Sequence, residues 1–410
     1  MKSALAPLLL AAFCTLPASA QEADPVATLV NQLELDKYKA TIKGLTQFGD
    51  RRQGTARNRA ALDWIEAQLK RYGCTNTERL RYDFTEPARR GPAQLQPLRA
   101  AGPAAQGGGT LFGRRAPIGV NTDPMAQPDE RLRALNSEPT PLGASPRESV
   151  YCTKVGSTRP DEMYIVSAHM DGLGFGEAAN DDGSGTALVM ELARILNAPG
   201  VTTERSIRFI LWNNEETGLN GAQAYVAQRR ELQGIESPRG SGRYPEPTWL
   251  GVIQHDMLLF DHGMPIPKLD AAGQPVLDAK GQPVYTAPRE QRAEADVNIE
   301  FQASAKQADG AARLAWALRA ANEKYATDYP AAVGNRMTNT DSVPFMDHVP
   351  AISVRENERG MHIGAGWNPH WHQPTDLYAT YSDKDFLLGL NAAQTTLAAV
   401  AQLSGASVKP

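Results

Sequence analysis

YIVSAHMDGLGFGEAANDDGSGTALVME, residues 164–191, is the stretch around which the chain is organised. Ile165 to Ala168 form a short apolar run that reads as a buried strand. The run ends at His169-Met170-Asp171, a Gly-rich loop follows, and Asn180-Asp181-Asp182-Gly183-Ser184-Gly185 opens an apolar-periodic helix through Ala187 to Met190. An imidazole therefore stands at a strand's carboxyl end, the edge where open α/β sheets bind ligands. His169 and Asp171 are two residues apart and are expected to point the same way, the carboxylate accepting the imidazole N–H as beside a metal-bound histidine. Taken alone, the Asn/Asp/Ser/Gly cluster also fits an ordinary polar turn and helix N-cap.

Working outward, strands and helices alternate. Residues 25–48 read as helix with one interruption near Leu35, 56–72 as an amphipathic helix stopped by Gly73, and 77–84 as a strand. After position 149 come strands at 149–155, 163–168, 206–212, 248–254, 296–303 and 351–354. Helices are expected at about 184–197, from Gly218 to about Leu232, at 307–325 and at 381–403. That alternation implies an α/β sandwich. Two stretches break it. Residues 86–148 are rich in Pro, Gly, Ala and Arg, a long loop for the inside of a domain. Residues 262–292 hold an eight-residue repeat, Asp270-Ala-Ala-Gly-Gln-Pro-Val and Asp278-Ala-Lys-Gly-Gln-Pro-Val, expected to form a hairpin or paired turns.

With a net charge of −4, the chain has no electrostatic footprint for nucleic acid. Beyond the N-terminus there is no apolar run of membrane-spanning length. Residues 1–20 have a charged start at Lys2, an apolar core over Leu8 to Phe13 and a small-residue Ala18-Ser19-Ala20 end, the pattern of a cleaved signal peptide. The expected mature chain is a single domain, 21–410, with insertions at about 86–148 and 262–292, in the periplasm or secreted. Export lets Cys74 and Cys152, both in β-like runs, pair as a disulfide; two unpaired thiols are the alternative.

Three strand ends carry metal-type side chains: His169, Glu215-Glu216 and Asp256. A fourth group lies in Gly366 to Asp376, and four of the seven histidines fall between 348 and 372. A paired-metal hydrolase needs two ions about 3.5–4 Å apart, a bridging carboxylate, further N/O ligands and a carboxylate base. Asp181 can bridge, His169 and Asp256 can complete one ion's ligands, Glu216 and His372 the other's, and Glu215 can be the base. Singly, each has a plainer reading: Glu215-Glu216 as an acidic helix start, Asp256 as a strand-end cap, and His372 as a loop residue rivalled by His370. Their joint order at predicted strand ends carries the argument.

These residues resemble the co-catalytic zinc exopeptidases of metallopeptidase family twenty-eight, which include bacterial leucyl-type aminopeptidases and glutamate carboxypeptidase-like enzymes. The resemblance rests on Ser167 to Asp171, Asn180 to Gly185, Phe209 to Gly218 (FILWNNEETG), Asp256-Met257, Thr340 to Phe345 and His372 to Asp376, with Arg52 to Gly73 as an N-terminal helix. It covers about 25–85 and 149–403. It implies a three-layer α/β/α sandwich with a mixed, mostly parallel sheet, and the ligand set above with His372 preferred over His370. It also implies a cis peptide bond between Asp181 and Asp182, Asp341 as a supporting carboxylate and Asp376 orienting His372. Trp371 stands where some family aminopeptidases have a tyrosine that helps hold the tetrahedral intermediate.

The reaction expected from this pattern is hydrolysis of the first peptide bond of substrates with a free N-terminus. Two zinc ions would serve as cofactor, with cobalt or manganese as possible occupants of such a site. Site carboxylates would hold the α-ammonium. A carboxypeptidase or dipeptidase on the same scaffold needs a cation for the substrate carboxylate, for which Arg336, Arg355 and Arg359 are candidates. A single-zinc glutaminyl cyclase-like enzyme fits the intact Asn-Asp-Asp and Glu-Glu pairs less well. A metal-free binding ectodomain would lack a ligand, and none is missing.

Overall fold

The computed structural model describes residues 24–86, 120–261, 268–279, 281, 284, 296–356 and 368–409. The expected signal peptide, Arg359, Gly366-Trp367 and most of the second insertion lie outside them. In chain order the elements are α1 (Pro25–Val30), α2 (Leu35–Thr46), α3 (Ala56–Arg71), β1 (Glu78–Glu86), α4 (Glu130–Asn136), β2 (Gly143–Lys154), β3 (Arg159–His169), α5 (Gly183–Leu196), β4 (Val201–Thr202), β5 (Arg205–Trp212), α6 (Asn220–Arg229), β6 (Thr248–His255), β7 (Val297–Glu300), α7 (Ala308–Tyr325), β8 (Ala331–Gly334), β9 (Ala351–Arg355), α8 (Asp383–Ser404) and β10 (Ser407–Val408).

Eight strands form one mixed sheet in the order β1-β2-β5-β3-β6-β9-β7-β8. Its centre is parallel: β5, β3, β6 and β9 run together, with His169 level with Trp212, and Ala168 with His255. The outer pairings β1–β2, β2–β5 and β7–β9 are antiparallel, and β7–β8 is parallel. Alternate side chains of the central strands face opposite sides, as a pleat requires. Val166, Ala168, Phe209 and Leu211 join a core with α2, α3, α5, α7 and α8. Ile165, Ile210 and Trp212 join a smaller one with Ala222, Tyr225 and Phe345. The sheet is thus covered on both faces, more heavily on the first, which agrees with the expected α/β/α layering.

Among the described residues, α8 alone is long and apolar enough to cross a membrane, and 78% of its most apolar window is buried in the fold. A Ser382–Asp385 capping box starts it and Gly405 ends it in the left-handed conformation.

Four readings need correction. The first insertion is narrower than 86–148: it contains α4, and β2 begins at Gly143, because the strand's outer half pairs with β1 across polar residues that carry no hydrophobic alternation. The helix expected over 25–48 is two, broken at 31–34. The strand expected over 296–303 is only Val297–Glu300. β8 was not anticipated; its four residues are all half-buried and give no pattern. In the second insertion the repeat does make paired turns, with Gly273 N–H donating to Asp270 O and Gly281 N–H to Asp278 O.

Cys74 and Cys152 form a disulfide with Cα atoms 6.0 Å apart. Cys74 lies in the turn before β1 and Cys152 on β2, its neighbour in the sheet. The bridge spans 78 positions, a long loop to constrain in the unfolded chain. Replacing both cysteines with serine should cost about 2–4 kcal/mol, read as a lower urea midpoint. A midpoint equal to that of the oxidised wild type would contradict this.

Candidate metal centre

The carboxyl ends of β3, β5 and β6 deliver His169, Glu215-Glu216 and Asp256 to one edge of the sheet. Asp181 enters from the loop before α5, and His372 from the loop before α8. Asp181 lies between two imidazoles. Its Oδ1 is 3.3 Å from Nε2 of His169 and its Oδ2 is 3.0 Å from Nε2 of His372. Oε2 of Glu216 is 2.8 Å from the His372 Nε2, and Oδ1 of Asp256 is 3.8 Å from the His169 Nε2. Ligand atoms of His169, Glu215 and Asp256 lie within 4.8 Å of one another, as do those of His169, Asp181 and Glu216.

This donor set fits divalent cations. Two ligands each about 2.0–2.1 Å from a tetrahedral zinc stand about 3.3 Å apart, close to both Asp181–imidazole separations. Oε1 of Glu216 is buried and has no hydrogen-bond partner among the described residues. Seven carboxylates (Asp171, Asp181, Asp182, Glu215, Glu216, Asp256 and Asp341) meet two histidines here. Burial and mutual repulsion push Glu215 well above the usual carboxylate range; burial raises Glu216 to about 7 and drives Asp182 and Asp341 well up. Burial opposes charge on His169 and His372 too, but the carboxylates around them more than offset it and hold both well above the ordinary histidine value. Such an excess of negative charge is what bound cations neutralise.

The surrounding contacts correct two expected roles. Nδ1 of His169 meets the backbone carbonyl of Asp171 at 3.0 Å, while the Asp171 carboxylate is 3.9 Å away. β3 ends at His169, so the two-residue alternation stops there and the carboxylate swings to accept the Glu215 N–H at 3.1 Å. Asp376 does not orient His372. Its oxygens accept the backbone N–H groups of Asn180 (2.9 Å) and Asp181 (3.1 Å), so it positions the shared carboxylate instead. The His372 ring is stacked on Trp371, centroids 4.0 Å apart. Asp182 is a knot: its carboxylate accepts the N–H of His169 (3.1 Å), Gly185 (2.9 Å) and Met257 (3.2 Å), joining two strand ends to the start of α5. The Asp181–Asp182 peptide is cis, as the resemblance implied.

Arg355, a candidate clamp for a substrate carboxylate, donates from Nη2 to Oδ2 of Asp256 at 2.7 Å and holds that carboxyl below its usual range against the effect of burial. Arg336 is exposed. Sequence reasoning missed Arg51. It is fully buried and donates to the carbonyls of Met170 (2.7 Å), Glu177 (2.8 Å) and Ala178 (2.8 Å), pinning the loop between His169 and Asp181. An arginine beside a second one in a polar turn gives no sign of burial. Also missed was Gly174, whose left-handed backbone lies so close to His372 that a β-carbon would come within 2.4 Å of its carbonyl oxygen. Asn214, Met257, Thr340 and His372, all at or beside site residues, adopt positive φ without being glycine, the kind of strain that collects at functional sites.

Residues 150–261, the segment carrying β3, β5, β6 and six of the seven site carboxylates, match the model for Peptidase family M28. The resemblance read from the motifs therefore holds over the sheet's centre. The chain is similar to aminopeptidase YwaD of Bacillus subtilis, 46% identical over 74 residues, 18% of this chain and 16% of that protein. It is also similar to carboxypeptidase Q of Xenopus laevis, 35% identical over 83 residues, 20% of this chain and 18% of that protein. These matches span under a fifth of the relatives' lengths. The crystal structure of the LapA aminopeptidase of Legionella pneumophila shares the fold, with a TM-score of 0.56 at 17% identity over 95% of this chain and 76% of that one.

The site predicts how stability depends on pH. Burial raises Glu216 and Glu356 to about 7 and Asp376 to about 6. Unfolded, these groups ionise near 4, so between about pH 4 and 7 the folded chain holds extra protons. The stability they contribute below pH 4 is lost as pH rises through 6–7, and the raised histidines act in the same direction. In the presence of chelator, the melting temperature should fall from pH 5 to pH 7.5, and added zinc should restore it at pH 7.5. A flat or rising profile with chelator would contradict this.

Proposed function

We propose that this chain is a two-zinc exopeptidase of the periplasm or the cell exterior, and specifically an aminopeptidase. One observation carries the reading: a single carboxylate, Asp181, lies between two imidazoles, with Glu215 placed beside His169 and Asp256. His169 and Asp256 would hold one ion, Glu216 and His372 the other, and Asp181 both. Bound zinc would lower the pKa of water towards about 7 and polarise the scissile carbonyl.

The chain's own groups do the rest. Glu215 is half-buried, so it can meet substrate, and its backbone is fixed by the Asp171 carboxylate. Its carboxylate takes a proton from the attacking water as the new C–O bond forms. It then gives that proton to the leaving nitrogen as the C–N bond breaks. In the metal-free chain burial and neighbouring carboxylates push Glu215 above the usual carboxylate range; bound cations would oppose that shift and leave the carboxylate free to accept the proton.

Selectivity for the amino end follows from charge. The site's carboxylate excess favours a substrate α-ammonium. Arg355, a cation in contact with a ligand, is engaged by Asp256 rather than turned to a substrate carboxylate. The similarity to a carboxypeptidase keeps the opposite polarity as the second reading, in which Arg355 would leave Asp256 for a substrate carboxylate. The leader-like N-terminus and the Cys74–Cys152 disulfide support export to an oxidising compartment.

Two measurements test this. Acetylating the N-terminus of a short peptide should abolish cleavage, and amidating its C-terminus should not. The reverse pattern would establish the carboxypeptidase. Glu215→Gln should lower kcat by at least ~10²–10⁴-fold with zinc content unchanged. Near wild-type kcat in a zinc-loaded variant would remove Glu215 from the mechanism.

A further inference from the structure

We infer that residues 120–136, outside the region of family resemblance, form a strap that positions the His372 half of the metal centre, with Gln127 as its central positioning residue. The inference rests on the two-ion reading above and assigns a function to part of the first insertion.

The strap crosses two loops that both carry ligands. At its start the Asn121 backbone N–H donates to the His372 carbonyl at 3.0 Å, and Nδ2 of Asn121 donates to the Gly174 carbonyl at 3.3 Å. At its middle Gln127 is fully buried. Its Nε2 donates to the carbonyls of Phe175 (2.8 Å) and Pro374 (3.0 Å), joining the loop before Asp181 to the loop after His372 through one amide. Its Oε1 accepts the Asp129 N–H at 3.0 Å, so the amide is satisfied on both sides. At its end Nδ2 of Asn136 donates to the Gly176 carbonyl (2.7 Å), and Oδ1 of Asn136 accepts the Asp50 N–H (3.0 Å).

The two halves of the site are supported differently. The His169 ring is fixed by the Asp171 carbonyl and Asp256 by Arg355. His372 has left-handed backbone, and its buried Nδ1 has no hydrogen-bond partner among the described residues. Beyond the contacts of its Nε2 with Asp181 and Glu216, its ring therefore rests on stacking with Trp371 and on where its backbone is held. The strap holds that backbone directly through Asn121, and through Gln127 two residues further on. Loss of the strap's donors should loosen the ion shared by His372 and Glu216 and spare the ion on His169 and Asp256.

Zinc titration calorimetry of the metal-free full-length chain, with melting curves in chelator, tests this. Wild type should bind two zinc ions. Gln127→Met keeps length and packing but removes both donors; it should bind one ion with unchanged affinity and the other about 10–100-fold more weakly. Asn121→Pro removes the donor to His372 from a residue outside the core and should give the same one-sided loss, which keeps the inference testable if Gln127→Met does not fold. Equal weakening of both ions, or of neither, in a folded variant would overturn the strap while leaving the two-ion reading intact. A wild-type chain that takes up no zinc would overturn that reading and the strap with it.

Discussion

A carboxylate placed between two imidazoles constrains everything around it. Asp181 is buried, a cost that its contacts must offset, and His169 and His372 hold its carboxyl below the ordinary range despite that burial. For the arrangement to exist, three chain segments distant in sequence must meet within hydrogen-bond distance. The parallel strands bring His169 and Asp256 to a common edge, but Asp181 and His372 come from loops, and loops hold position only when their backbone groups are engaged.

Much of the polar machinery serves that end. Asp376 accepts the N–H groups of Asn180 and Asp181, and Asp182 accepts those of His169, Gly185 and Met257. Glu356 accepts from the Asn180 side chain and the Phe260 N–H, and Arg51 binds three carbonyls of the same loop. Buried charges bonded to backbone recur because each can satisfy several peptide groups at once. Near-contact of two backbones at Gly174 and Gly176 lets the loops lie together without side chains between them.

The parts visible in the sequence were those written in periodicity and in residue type at strand ends. Apolar runs marked the four central parallel strands, and the ligand positions followed from what stood after them. The errors have physical reasons. Asp171 and Asp376 were each paired with the histidine nearest in sequence, yet both carboxylates reach across to backbone N–H groups of other segments. Sequence spacing gives side-chain direction within a strand and loses it at the strand's end. β8 and α4 carry too few buried residues to leave a pattern. Arg51 and Gln127 are polar residues of turn-like stretches, and only tertiary packing shows that they are buried.

Under the function proposed above, Asp181 is shared by two ions. Anomalous diffraction at the zinc edge, from crystals of the zinc-loaded protein, tests it most directly. Two peaks about 3.5–4 Å apart, one against His169 and Asp256 and one against Glu216 and His372, with the Asp181 carboxylate between them, are the predicted result. A single peak, or zinc bound elsewhere with Asp181 bridging nothing, would contradict it.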